Sequence, residues 1–173
     1  MQEMLKRIDN KINEYYQRTF NYANINPEDV DFLLKALKQE LNVDIVYIVV
    51  TSIDKKSFKF INYVSDSKKS LVGKEYELSI ENYLSQHMLY DENNLSELPG
   101  VDVGLDARAN LYHGLVRGND TDGTIGVIDT KNTRVWTPEE KEALIKVSRC
   151  LHLYVYEKRV DLLKADEKQA QRE

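Results

Sequence analysis

The sequence predicts an α+β domain in which helices near both ends of the chain flank an antiparallel sheet. Apolar residues recur at helical spacing in both end segments, and two pairs of strand-like segments joined by polar turns lie between them. Hydrophobic residues make up 42% of the 173 residues, which is enough for a buried core. The length suits one domain with short appendages.

The first element is predicted to be a helix over residues 2–20. Its apolar residues recur at alternating steps of three and four, which is the spacing of a coiled-coil seam. The seam residues are Leu5, Ile8, Ile12 and Tyr15. A seam this short does not hold a dimer together alone in water, so we expect it to pack against another helix or the body of the domain.

A second helix is predicted to follow directly and to end near Leu41. Asn26 suits the N-cap position, Pro27 suits the first helical position, and Asn42 suits a left-handed stop. Helical spacing places a row of apolar residues on one face, which predicts that this face lies in the core. The row contains Val30, Leu33, Leu34, Leu37 and Leu41.

The first predicted hairpin joins a buried strand to a half-exposed one. Residues 44–53 are β-branched and almost continuously apolar, which predicts a central strand covered on both faces. After a turn at residues 54–56, residues 57–64 alternate in polarity. The alternation predicts one face with Phe58, Phe60, Asn62 and Val64, and an opposite face with Lys59, Ile61 and Tyr63.

A second hairpin is predicted after an irregular stretch over residues 65–105, in which residues 78–89 indicate a short helix. The hairpin strands cover residues 109–117 and 124–130, around a turn-rich loop at residues 118–123. In its first strand, one face carries Leu111, His113, Leu115 and Arg117, and the other carries Asn110, Tyr112, Gly114 and Val116.

The last element is predicted to be a long helix with a strong start. Thr137 suits the N-cap, Pro138 suits the first helical position, and Glu140 occupies the capping-box position. Neither glycine nor proline follows Pro138, and an apolar stripe leads toward a polar tail at residues 164–173. The stripe contains Leu144, Val147, Leu151, Tyr154 and Val155, and Val160, Leu162 and Leu163 extend it.

Composition excludes several classes of function. A net charge of −5 disfavours binding to nucleic acid. The longest apolar run, residues 45–50, is far shorter than a membrane span, and the first residues do not form a signal peptide. The single cysteine, Cys150, cannot form an internal disulfide, which fits a reducing compartment. We therefore expect a cytoplasmic domain without membrane contact.

Catalytic and metal-binding motifs are absent from the sequence. The three histidines are scattered, without the spacing of metal ligands, and no glycine-rich phosphate-binding motif is present. Cys150 lies within an apolar helical stripe, where a buried structural role is expected. We therefore expect neither enzymatic activity, nor a metal, nor a cofactor.

Residues 123–144 resemble the GAF domain family. The family pattern is a glycine-led last strand, an arginine before an aromatic residue, and Thr-x-Glu-Glu at the start of a helix. The matching residues are Gly126, Arg134, Trp136, Thr137, Glu139 and Glu140. The sequence of this motif, with tryptophan as the aromatic residue, is similar to that of GAF domains that precede diguanylate cyclase (GGDEF) modules in Gram-positive bacteria. The resemblance implies about six antiparallel strands, with helices on one face and a small-molecule pocket on the other.

The resemblance covers residues 27–158 and divides the chain into three parts. Residues 1–26 become an N-terminal dimerisation or signalling helix, residues 27–158 the sensor, and residues 159–173 a linker toward an absent output domain. The implied function is a sensor whose small-molecule ligand alters the packing of its terminal helices. The alternative is a ligand-free GAF scaffold that only dimerises. The two missing strands are expected at residues 74–78 and 95–103.

The ligand is expected to be held by residues from three parts of the sequence. His113 and Arg117 suit a carboxylate or phosphate if their face of the strand lines the pocket; the alternative is that this face is solvated. Tyr83 and His87 lie one helical turn apart, and Tyr47 and Phe60 come from the first hairpin. For these four residues the alternative is a packed core. The Asn-Lys-Phe-Asp-Glu signature of cyclic-nucleotide-binding GAF domains is absent.

Both terminal helices are expected to form a bundle with a second copy of the chain. Its contacts are predicted to be Leu5, Ile8, Ile12 and Tyr15 from the first helix, and Leu144, Val147, Leu151 and Tyr154 from the last. Such a bundle across a two-fold axis is common among GAF sensors, as the resemblance implies. The alternative is that the second stripe packs only on the sheet of its own chain.

Overall fold

The computed structural model describes residues 2–20, 25–77, 93–97 and 105–172. In chain order, the elements are α1 (Gln2–Thr19), α2 (Pro27–Leu41), β1 (Ile45–Thr51), β2 (Ser57–Ser65), β3 (Glu75–Glu77), β4 (Leu95–Ser96), β5 (Ala109–Arg117), β6 (Asp120–Asp129) and α3 (Pro138–Arg172). The helix predicted at residues 78–89 lies outside the described residues. The two additional strands are present as β3 and β4, and residues 78 and 98–103 of the predicted ranges lie outside the described residues.

The described strands form one six-stranded antiparallel sheet, as predicted. Their order is β3-β2-β1-β6-β5-β4, and each neighbouring pair runs antiparallel. The central strand β1 is buried along its whole length, because layers of side chains cover both of its faces. This double burial explains the continuous apolar sequence that predicted a central strand.

Three helices cover one face of the sheet and enclose the larger core. The predicted apolar face of α2 is fully buried, and α1 packs against both α2 and α3. α1 and α3 run in the same direction, since Asp9 pairs with Lys146 and, further along, Tyr16 hydrogen-bonds Cys150. Within the described residues, no helix is long and apolar enough to cross a membrane.

The predicted helix ends are largely confirmed. Asn42 adopts the left-handed conformation, with φ 52° and ψ 50°, and its N–H donates to the Gln39 carbonyl. At the start of α3, the Thr137 N–H donates to Glu140 Oε1 at 2.9 Å, and the Glu140 N–H donates to Thr137 Oγ1 at 3.1 Å. Asn26 occupies the N-cap position of α2, but its side chain makes no capping hydrogen bond.

The predicted face assignment of β2 is wrong because the strand contains a bulge. Ile48 pairs with Asn62, whereas the next residue, Val49, pairs with Phe60, so Ile61 is an extra residue. Phe60 therefore faces away from the helices, while Asn62 faces them. Phe58, Phe60 and Tyr63 lie on the sheet face opposite the helices. Asn62 and Val64 lie on the other face, beneath the helices.

The predicted six-residue loop of the second hairpin is also wrong. β5 ends at Arg117 and β6 begins at Asp120, so the turn is only Gly118-Asn119, with Gly118 at φ +64°. Opposite Leu115 and Val116 the pairing shifts from Gly123 to Thr121, which leaves Asp122 as an extra residue in β6. The polar sequence suggested a loop, whereas Asp120 and Asp122 are polar because they bind arginines.

Candidate functional site

The sheet face opposite the helices carries a cluster of aromatic and aliphatic side chains, here called the aromatic face. Its buried members are Ile45, Tyr47, Val49, Phe58, Phe60, Leu71 and Ile128, with Tyr63, Tyr76, Leu105 and Ala107 packed around them. None of these side chains carries a charge at neutral pH. The aromatic face therefore offers ring surfaces and phenol hydroxyls, rather than ion pairs, to a ligand.

The rings of the aromatic face pack in the arrangements that aromatic pairs prefer. Phe60 meets the edge of Tyr47 at a centroid distance of 5.7 Å and that of Tyr63 at 5.9 Å. Tyr76 stacks on Phe58 at 5.8 Å. Tyr76 and Tyr63 are half-buried, so they form the accessible rim of a cluster whose centre is closed.

Tyr47 extends from β1 across its neighbour β6 because β6 has a glycine at the crossing point. A Cβ atom at Gly126 would overlap Cζ and Oη of the Tyr47 ring. Gly126 pairs with Tyr47 on one side and with Tyr112 of β5 on the other. The glycine thus lets the Tyr47 ring lie flat on the sheet.

The pKa of Tyr112 is raised because burial disfavours its ionised form, although a hydrogen bond with Ser96 opposes the shift.

The structure does not bring the predicted ligand residues together. Tyr47 and Phe60 both lie on the aromatic face. His113 and Arg117 lie on the opposite side of the sheet, which faces α3, so they cannot share a pocket with the first pair. Their strand neighbours Leu111 and Leu115 belong to the core beneath the helices. Tyr83 and His87 lie outside the described residues.

A second set of polar groups connects α3 to the end of the sheet, here called the charge cluster. It consists of Arg117, Asp120, Asp122, His152 and Arg159. The Asp122 side chain is 0% exposed and accepts two hydrogen bonds from Arg117, at 3.0 and 3.1 Å, and one from Arg159 at 3.1 Å. His152 Nε2 lies 3.1 Å from Asp122 Oδ2. A buried carboxylate is thus surrounded by donors.

Arg159 joins three segments through its guanidinium group. Nη1 donates to Asp120 at 2.6 Å and to Asp122 at 3.1 Å. Nε and Nη2 donate to the carbonyl oxygens of Thr51 and Ser52, at 3.0 and 3.1 Å. The side chain is only 4% exposed. Arg159 therefore attaches α3 both to the β5–β6 hairpin and to the end of β1.

The charge cluster lowers the pKa of its carboxyl groups. Burial disfavours the ionised form of Asp122, but hydrogen bonds from Arg117, His152 and Arg159 outweigh it and hold the pKa below the ordinary value. Burial likewise opposes ionisation of Asp120, and its bonds to Arg159 again prevail, so its pKa is lowered. Both carboxyl groups are therefore ionised partners of the arginines at neutral pH.

Sequence reasoning identified Arg117 but missed its partners. Asp120 and Asp122 were assigned to a loop, His152 was considered only as one of three scattered histidines, and Arg159 was not singled out. One signal was available, because His152, Tyr156 and Arg159 are spaced by four and three residues beside a buried apolar stripe. Tyr156 completes this row, since the Arg117 guanidinium carbon lies 4.6 Å from the centre of its ring.

The predicted dimerisation seam lies inside the core of a single chain. Ile8, Tyr15, Leu144, Val147, Leu151 and Tyr154 are all buried there, and Leu5 and Ile12 are half-buried against the same cluster. The heptad-like spacing of α1 arises because α1 packs on α2 and α3 of its own chain. These eight residues are therefore occupied within their own chain, where the α3 stripe packs against α1 and α2 as well as against the sheet.

A different apolar stripe remains exposed on α3, here called the outer stripe. It consists of Leu153, Tyr156, Val160 and Leu163, spaced by three, four and three residues. Leu153 is 60% exposed and Leu163 is 38% exposed, while Tyr156 and Val160 are half-buried. This spacing is that of a coiled-coil seam, with the helix continuing beyond it to Arg172.

The described residues contain no group of three or more histidine, cysteine, aspartate or glutamate side chains arranged to hold a metal ion. Cys150 lies on α3 beside Tyr16 of α1, on the helix side of the sheet. Its pKa is raised because burial disfavours the thiolate. The thiol is thus a packed side chain remote from the aromatic face.

No family model matches the sequence, and no curated protein is significantly similar to it. Solved structures share its fold. The chromophore-binding domain of bacteriophytochrome RpBphP3 from R. palustris superimposes with a TM-score of 0.68 at 14% identity, over 89% of this chain and 62% of that domain. The phycoerythrobilin-bound GAF domain of a cyanobacterial phytochrome gives 0.68 at 11% identity, over 90% and 97% of the two chains.

Residues 122 to 287 of a methyl-accepting chemotaxis protein superimpose with a TM-score of 0.61 at 13% identity, over 87% of this chain and 99% of that one. The chain spans less than two thirds of the bacteriophytochrome domain. At these identities the similarity establishes the fold, which is the GAF-like fold expected from residues 123–144.

Proposed function

We propose that this domain is a cytoplasmic sensor that binds a small molecule against its aromatic face and signals through α3 to an attached output module. The observation that carries the proposal is the course of α3. This helix is fixed to the sheet by Arg159, beneath the strands that bear the aromatic face, and then continues as an exposed helix to Arg172. A ligand that shifts β1 or β6 would therefore move the base of the projecting helix.

The fold neighbours support a small-molecule ligand for this domain. Two of them, a phycoerythrobilin-bound and a biliverdin-bound protein, hold bilins, which are extended conjugated molecules. In this chain the side chains on that face are rings without charge, which suits a flat, largely apolar ligand. Binding would be non-covalent with respect to Cys150, because that thiol lies on the other side of the sheet.

The ligand proposal is tested with a thermal-shift panel of biliverdin, flavin mononucleotide and cyclic nucleotides. A ligand that binds the folded state raises the melting temperature by mass action. We expect Tyr76→Ala, which removes a rim ring of the aromatic face, to weaken the response. Tyr16→Ala, at a tyrosine of α1 that is 53% exposed on the helix side, is the matched control and should respond like the unmodified protein. Equal responses of both variants would contradict binding at this face.

Dimerisation remains part of the proposal, with the outer stripe as its contact surface. An exposed seam on a helix that leads toward the output module would hold two copies in register. Sedimentation should show a dimer that Leu153→Glu dissociates, whereas Val135→Glu, at an 89% exposed loop position, leaves it intact. A monomer at all concentrations would refute dimerisation by this stretch of chain.

The output module is proposed to be a diguanylate cyclase, by the resemblance of residues 123–144 to GAF domains that precede such modules. The alternative function is a ligand-free scaffold. It is favoured by the buried centre of the aromatic face, where the rings pack against one another and fill the space that a ligand would occupy. The two are distinguished by the same panel. A panel without any response, together with a dimer, supports the scaffold.

A further inference from the structure

A cleft on the helix side of the sheet is lined by cationic and amide side chains. It lies where β4 begins, between β5 and α3, and has a volume of about 190 Å³. The described polar residues that line it are Asn93, Asn94, His113, Arg149 and His152, and no lining residue among the described ones carries a carboxylate. The described lining is therefore positive or neutral, in a chain whose net charge is −5.

Arg149 gives the cleft a fixed positive charge. It is exposed, and the described residues include no carboxylate that pairs with it and no hydrogen bond from its guanidinium group. By contrast, Arg117, Arg134 and Arg159 are each paired with an aspartate or glutamate. A guanidinium group presents a planar fork of N–H donors that matches the oxygens of a phosphate or carboxylate.

His152 lies one helical turn after Arg149 and also lines the cleft. Its Nε2 is directed at the carboxylate of Asp122, so Nε2 carries the proton of that hydrogen bond. His152 therefore stands between a buried carboxylate on one side and the cleft on the other.

The wall of the cleft opposite α3 is held in place by a hydrogen bond between strands. Asn94 has a positive φ of 62°, and its carbonyl oxygen accepts the N–H of Gly114 at 2.9 Å. This turn brings Asn93 and Asn94 to the edge of the cleft, near His113. Amide groups supply neutral donors that complement a charged fork.

We propose that this cleft binds a small oxyanion, a phosphate group that is either free or carried by a metabolite. The site is separate from the aromatic face, because the sheet lies between them, and it does not depend on the ligand of the proposed function. Two of its lining side chains, Arg149 and His152, belong to α3, and His152 also holds Asp122 of the charge cluster. An oxyanion bound here thus contacts α3 directly. It also acts on the groups that attach α3 to the sheet.

The test is a titration with sodium phosphate at constant ionic strength, followed by ¹H–¹⁵N NMR and by melting temperature. We expect saturable shifts at the Gly114 amide and the His152 ring. Arg149→Gln should weaken the affinity about tenfold or more, because it removes a charge-assisted hydrogen bond. Arg108→Gln, at another exposed arginine, changes the net charge equally and should bind phosphate as the unmodified protein does.

Two further arms define the ligand. Sodium chloride at the same ionic strength should leave Gly114 and His152 unshifted, and glycerol phosphate compared with inorganic phosphate distinguishes a phosphomonoester from the free ion. Shifts that do not saturate, or that persist unchanged in Arg149→Gln, would overturn the proposal. Because Arg149 is exposed, its replacement is compatible with folding, which the melting temperature without phosphate verifies.

Discussion

At the scale of single residues, Asp122 is the group on which the attachment of α3 depends most. Its carboxylate is fully buried and compensates two arginines, one of which is itself almost inaccessible. We predict that Asp122→Ala lowers the free energy of unfolding by about 3 kcal/mol or more, because Arg159 would then keep a buried charge with fewer partners. Urea denaturation measures this loss, and Asp106→Ala, at an exposed aspartate, should change little.

The same carboxylates predict how stability depends on pH. The pKa values of Asp120 and Asp122 are lower in the folded than in the unfolded protein, so their contribution is complete above about pH 4, the unfolded value. It is lost as the pH falls through the folded values. We expect the unfolding free energy to decrease in acid, and to do so less steeply in Asp122→Asn. Parallel pH profiles of the two proteins would contradict this account.

Gly126 is predicted to be required because a tyrosine ring occupies the space of its missing side chain. Gly126→Ala should cost about 1–3 kcal/mol, since the methyl group overlaps the Tyr47 ring. In a Tyr47→Leu background the same change should cost clearly less, because the ring is gone. A double-mutant cycle of unfolding free energies measures the coupling. If the two costs in unfolding free energy are additive, the methyl group at position 126 and the Tyr47 ring do not clash.

Local chemistry made several residues predictable. Asn42, Thr137 and Glu140 could be assigned because each forms its hydrogen bond with a residue only a few positions away along the chain. Asp122 could not be assigned, because its partner Arg159 is 37 positions away and pairing at that distance leaves no local pattern. The polar character of Asp120 and Asp122 was visible, but turns and buried ion pairs both require polar residues.

At the scale of elements, the start of α3 rests on a reciprocal pair of side-chain hydrogen bonds. Thr137→Ala removes the acceptor for the Glu140 N–H and is predicted to lower the unfolding free energy by about 1 kcal/mol. Thr133→Ala, at an exposed loop position shortly before, is the matched control. Thermal or urea denaturation of the two variants distinguishes a specific capping effect from a general loss of threonine.

Element types and approximate bounds were predictable, whereas the partners of each face were not. The apolar stripes of α1 and α3 indicated burial, but the same spacing results from contact with a second copy or with the chain's own helices. In β2 the alternation continued through Ile61 in sequence although the bulge reverses the faces beyond it. A bulge changes the pairing with a neighbouring strand, and the sequence of one strand alone does not record that pairing.

At the scale of the whole molecule, the sheet separates two chemically different surfaces. One side presents uncharged rings, and the other holds α3 by buried ion pairs beside a cationic cleft. The six-stranded fold was predictable from the hairpins together with the GAF-like residues 123–144. The division of His113 and Arg117 from Tyr47 and Phe60 was not, because alternation groups the residues of a strand without showing which group faces the helices.

The central claim is that α3 and the sheet move as one unit through the charge cluster, so that an event on the strands reaches the projecting helix. Amide hydrogen exchange in the unmodified protein and in Asp122→Asn tests it most directly. The account predicts faster exchange in the variant both around Arg159 in α3 and in the β5–β6 hairpin, with α2 unchanged. Unchanged exchange in α3, while the hairpin alone loses protection, would contradict it.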